Sequence, residues 1–151
     1  MKNNISLEVG DNILAPASKV WEALTDPALI KQYFFDTDTY TNWKPGSPIV
    51  FKGEWKGQHY EDKGTVLDVV EDKLLRYSYW SAMSGIEDEP ENYLIVTYEL
   101  EEKENATKLT IRQENIPDEK MKIHSADNWR KVMTGLKKLV ESREKEKIRS
   151  F

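Results

Sequence analysis

The stretch NWRKVMTGLKKLVE, residues 128–141, decides the fold. Trp129, Val132, Met133, Leu136, Leu139 and Val140 recur at spacings of three and four, which sets them on one stripe of an α-helix. Met121 continues the stripe toward the N-terminus, so the pattern lasts for about five turns at 3.6 residues each. Asp118 and Ser125 both suit the N-cap position, and a cap at 125 would set a short turn apart from the main helix. Gly135 lies inside the pattern, where glycine costs roughly 1 kcal/mol against alanine. A close packing partner is expected there.

A helix of this length needs a broad apolar face to lie on, and the preceding segments supply one. ISLEVGDNIL alternates Leu7, Val9 and Ile13 as a strand, with Gly10 a candidate bulge. APASKVWEALTD changes period: Pro16 suits the first helical position, and Val20, Leu24 and either Ala17 or Trp21 form a stripe. Asp26 can cap a second short helix opened by Pro27, with Leu29, Ile30, Tyr33 and Phe34 beneath it. PIVFKGEW then sets Ile49, Phe51 and Trp55 against Val50, Lys52 and Glu54, and GQHYEDKG reads as the following turn. TVLDVV is apolar on both parities, so its inward face stays open. In LLRYSYW, burying Arg76 would be expensive, so Leu75, Tyr77 and Tyr79 are assigned to the inner face. NYLIVTYELEE and TKLTIRQENI flank KENA as a hairpin, with Leu94, Val96, Tyr98 and Leu100 facing Leu109, Ile111 and Gln113. Lys108, Thr110 and Arg112 face water. The order is strand, two small helices, about six strands and a long helix, which makes a two-layer α+β sandwich of curved antiparallel sheet and helix.

Composition narrows the function classes. The 151 residues suit one domain, with a core spanning about 5–146. There is no cysteine and there are only two histidines, His59 and His124, so disulfide, thiolate and histidine-built metal sites are disfavoured and no cofactor is indicated. The net charge of −5 argues against a nucleic-acid partner. No apolar run is long enough for membrane insertion, and a cytoplasmic location is the expectation. No nucleophile elbow, phosphate-binding glycine loop or calcium loop occurs. Glu54 and Asp68 are a carboxylate pair that neighbouring strands could bring together.

The stretches ILAPASKVWEALTDPALIKQYF, WKPGSPIVFKGEW, KGTVLDVVEDKLLRYSYW, LIVTYELEEKENATKLTIRQENI and NWRKVMTGLKKLVE follow one another from about residue 7 to 142. In order and spacing they resemble the START-like superfamily, and within it the family named after the activator of the heat-shock protein 90 ATPase. The resemblance implies a helix-grip fold, in which the sheet wraps the long helix and leaves a cavity between them. Tyr33 and Phe34 stand where that family usually has two tryptophans. The resemblance corresponds to the C-terminal domain of the eukaryotic activator and does not extend to its other half, which carries part of the chaperone contact.

The inner tyrosines carry the functional reading. Burying a ring is worth on the order of 2 kcal/mol, but an unpaired buried hydroxyl costs about 1–3 kcal/mol. A solid core is better built from leucine and phenylalanine. Tyr77, Tyr79 and Tyr98, with Phe51, Trp55, Trp129, Met133 and the polar Gln113, are therefore the candidate ligand-binding residues. The expected function is binding of a small hydrophobic, aromatic or lipid-like molecule between sheet and helix. A regulator of a heat-shock protein 90-type chaperone is the alternative, and an enzyme acting on an aromatic substrate is the third reading. His59 and His124 are expected at the surface, with His124 near the pocket mouth.

Overall fold

The computed structural model describes residues 2–149, with side chains through 146. Strand β1 (Ile5–Ile13) is followed by helices α1 (Ala17–Thr25) and α2 (Pro27–Tyr33). Strands β2 (Asp38–Tyr40), β3 (Pro48–Trp55), β4 (Gln58–Val70), β5 (Leu74–Tyr79), β6 (Leu94–Lys103) and β7 (Ala106–Ile116) come next, and helix α3 (Glu119–Arg149) closes the chain. The strands form one seven-stranded antiparallel sheet in the order β1-β7-β6-β5-β4-β3-β2. Consecutive strands are neighbours, except that β1 crosses over to pair with β7. Helix α3 makes its close backbone approach to β1, β7 and the two short helices. This is the helix-grip arrangement of an α+β fold.

Local chemistry sets the element ends. The Asp118 side chain accepts the Met121 N–H at 2.8 Å and caps α3. The helix then runs unbroken through Ser125, so no separate turn exists. Pro16 is the N-cap of α1 rather than its first residue. It cannot cap with its own side chain, and Glu102 on β6 accepts the Ala17 N–H at 2.8 Å instead. Asp26 accepts from Ala28 N at 2.9 Å and caps α2, with Pro27 in its first turn.

Two sheet features differ from the sequence reading, and a third settles a face it left open. The register through Gly10 is unbroken, and the β1 irregularity falls at Ile5/Ser6. The turn after β3 shrinks to Lys56 and Gly57, both left-handed at φ 51° and 79°, as a two-residue hairpin loop requires. Residues 58–64 consequently belong to β4. In β4 a bulge after Val66 puts an extra residue opposite β5, so Val66 and Val69 both face inward and Leu67 faces out. That resolves the open face of TVLDVV.

The core is aliphatic where α3 and α1 meet the sheet. Ile13, Val20, Leu109, Ile111 and Leu136 are fully buried. A Cβ on Gly135 would stand 3.1 Å from the Tyr33 Cβ, so the glycine lets α2 lie against α3.

Candidate functional site

Away from β1 and β7 the space under α3 is spanned by aromatic side chains. Phe34, at the end of α2, stacks on Phe51 of β3 with centroids 6.2 Å apart. Phe51 meets Tyr77 of β5 at 5.7 Å, Tyr77 meets Tyr98 of β6 at 5.8 Å, and Tyr98 meets Trp129 of α3 at 6.0 Å. Trp129 returns to Phe34 at 5.8 Å. Five rings from five elements thus close a circuit, and Tyr79 joins it through Phe51 at 5.7 Å. Alternation makes this possible. Tyr77 and Tyr79 share one face of β5, and Tyr77 lies opposite Val96 with Tyr98 two pairs along, on the same face.

The polar atoms inside are few and placed. The Tyr77 and Tyr98 hydroxyls hydrogen-bond each other at 2.9 Å. One bond between two hydroxyls uses one of their two hydrogens, leaving a donor inside the ring circuit. Trp129 Nε1–H donates to Gln113 Oε1 at 2.9 Å, which fixes the indole and makes β7 part of the site. The Tyr33 hydroxyl donates to the Ala23 carbonyl at 2.8 Å. Burial, which disfavours the phenolate, is the main cause pushing Tyr33, Tyr77, Tyr79 and Tyr98 above the ordinary tyrosine range. All four are neutral donors at physiological pH.

A second polar group lies toward the free end of the β3–β4 hairpin. The Tyr79 hydroxyl donates to Asp62 Oδ2, and the charge on Asp62 adds to the burial that raises Tyr79. Asp62 is only 6% exposed, yet its Oδ1 has no hydrogen-bond partner. Thr39 Oγ1 is likewise buried and unpartnered. Thr39, Phe51 and Asp62 are successive cross-strand partners on the inner face of β2, β3 and β4. Tyr60 lies over Gly53, where a Cβ would fall 2.3 Å from the Tyr60 hydroxyl, and that hydroxyl bonds Thr37 Oγ1 at 2.8 Å.

The structure gathers Phe51, Tyr77, Tyr79, Tyr98, Gln113, Trp129 and Met133 around this interior. It does not bring Trp55 there. Trp55 has the inward parity of Phe51, but the hairpin end reaches past the cover of α2 and α3, and the ring is 57% exposed with the Lys56 ammonium over it. Phe34 and Asp62 belong to the site and are absent from the sequence-based set. A turn over 57–64 hides Asp62; with β4 beginning at Gln58, alternation puts it opposite Phe51. Glu54 and Asp68 stay apart, since Glu54 pairs in register with His59 near the hairpin tip while Asp68 holds Arg76 at 3.4 Å. His59 is exposed, and so is His124, whose ring nitrogen meets the Asn128 amide at 3.3 Å.

The outer face carries a separate groove of about 1020 Å³, bordered by Lys63, Thr65, Leu67, Ser78, Tyr93 and Ile95. Asp88 accepts from both Lys63 and Tyr93 at its rim. Among the described residues no group of three or more acidic or histidine side chains could hold a metal ion, and no helix is long and apolar enough to cross a membrane.

Residues 14–141 match the family model described as activator of Hsp90 ATPase homolog 1-like protein. The chain belongs to that family. Its members typically bind ligands or act in Hsp90 regulation. Among solved structures, the chain is similar to ChR145 from Cytophaga hutchinsonii, with 44% identity, 96% of this chain and 99% of that one covered, and a TM-score of 0.81. It is also similar to MLL2253 from Mesorhizobium loti, at 25% identity over 91% and 98% of the two chains with a TM-score of 0.74. The Aha1 dimer from Colwellia psychrerythraea shares the fold at 20% identity, 91% and 96% coverage and a TM-score of 0.72. No match was found among curated proteins.

Proposed function

We propose that the chain binds a small apolar, ring-containing molecule between α3 and strands β3 to β6. The observation that carries this reading is the closed circuit of five rings with an unspent hydroxyl hydrogen inside it. Rings from separate elements supply apolar area, and a few placed polar groups supply orientation, which is the composition of a small-molecule site. Phe34 is the ring that yields to a guest. It is half-buried, ends the short α2, and precedes Phe35 and Asp36, both left-handed at φ 52° and 58°. Two successive non-glycine residues in that region hold strain that a rearrangement can release. The test is a thermal-shift screen with aromatic and lipid-like compounds; a ligand at a hundred times its Kd adds about 2.7 kcal/mol. Hits whose shift is lost in Trp129→Ala support the reading, and hits indifferent to that change refute it.

Family membership favours a second reading, regulation of an Hsp90-type chaperone. Adding the purified protein to the cognate chaperone and following ATP turnover tests it directly. A change in turnover that saturates with added protein supports regulation, and none at saturating protein rejects it.

A further inference from the structure

We infer that the interior site is selective for an apolar aromatic molecule bearing one ammonium group, and that Asp62 is the residue that reads it. This rests on the binding reading above and names its ligand class. Asp62 is 94% buried by its 6% exposure, and one carboxylate oxygen has no partner. A buried carboxylate is expensive to keep without a compensating cation. None is paired with it among the described residues: the nearest lysines in sequence and register turn to other partners, Lys63 to Asp88 and Lys52 to Glu61. Tyr79 satisfies only Oδ2.

The surroundings of Oδ1 suit a cation. Phe51 is the cross-strand partner of Asp62, and Tyr79 touches both, so aromatic rings flank the carboxylate. Ring faces attract cations, and the attraction strengthens when the cation is desolvated. An ammonium there would bond Oδ1 while its aromatic body lies in the ring circuit. An anionic ligand would meet the carboxylate head-on and is excluded.

The probes are 2-(2-naphthyl)ethylamine and its uncharged isostere 2-propylnaphthalene, titrated into the full chain and followed by the Trp129 indole NMR resonance. The amine is expected to bind wild type at least tenfold more tightly than the isostere. Asp62→Asn is expected to erase that preference, bringing the amine's affinity down to that of the isostere in the same variant. Equal affinity of the two probes for wild type overturns the inference without using any variant, and the binding reading survives. An amine preference that persists in Asp62→Asn also overturns it. If neither probe moves the Trp129 resonance, the binding reading itself fails and this inference falls with it.

Discussion

The two ends of the inner layer are built from different materials. At the end where α3 crosses β1 and β7, the contacts are Ile13, Leu109, Ile111 and Leu136, all fully buried and all aliphatic. At the other end, over β3 to β6, the backbone of α3 no longer lies close along the strands and the space is spanned by Phe34, Phe51, Tyr77, Tyr98 and Trp129. The first end stabilises the fold by close-packed apolar area. The second includes hydroxyls and a carboxylate, with Gln113 reaching it from β7 through Trp129, groups that cost stability unless something satisfies them. On the proposed reading, stability and recognition are divided along one sheet.

Substitutions can break that division or sharpen it. Leu136→Ala, at the aliphatic end, should cost about 2–5 kcal/mol, read as a fall in the denaturant midpoint. If a ring-end truncation cost as much and ligand response were spared, the assignment of roles would be reversed. Titration should come next in size. The buried tyrosines hold their protons above the ordinary value near 10, whereas unfolded tyrosines lose theirs there. The folded state then binds more protons than the unfolded state, so stability falls as pH rises from about 10 through the raised folded values. Melting temperatures should be insensitive to these groups below pH 9 and drop steeply above 10, at up to about 1.4 kcal/mol per tyrosine per pH unit. An acid-side dependence on the same residues would contradict the sign.

Tyr77→Phe should cost about 1–3 kcal/mol because it strands the Tyr98 hydroxyl indoors. The double change Tyr77→Phe with Tyr98→Phe should cost less than either single one, since both partners go. Equilibrium unfolding of the three variants checks this, and simple additivity would mean that the hydroxyls act independently. Smallest of all, Trp55→Ala should change stability by no more than about 0.5 kcal/mol, as expected for an exposed side chain. It should leave any ligand-induced thermal shift intact.

Much of the architecture was legible before the coordinates. The long helix, the two short ones and the inward assignment of Leu75, Tyr77 and Tyr79 follow from periodicity and from the cost of burying Arg76. What escaped was short or local. The three-residue β2 is too brief to show alternation. The Lys56-Gly57 turn does not carry the Asn-Gly signature, so the sequence pattern starts β4 too late and misses Asp62. The β4 bulge reverses parity after Val66, which no pattern of apolar residues in TVLDVV could reveal. Trp55 shows the converse problem. Its parity is right, but parity fixes a face and not whether another layer covers that face.

The most direct trial of the account is an NMR titration with neutral 2-propylnaphthalene that follows both backbone and ring resonances, comparing the inner ring circuit with the outer groove. Progressive shifts of the Trp129 indole and the Phe51 and Tyr98 rings, with Thr65 and Tyr93 unmoved, are the predicted result. Shifts confined to the groove around Lys63, Leu67 and Tyr93, with the Trp129 indole stationary, would contradict it.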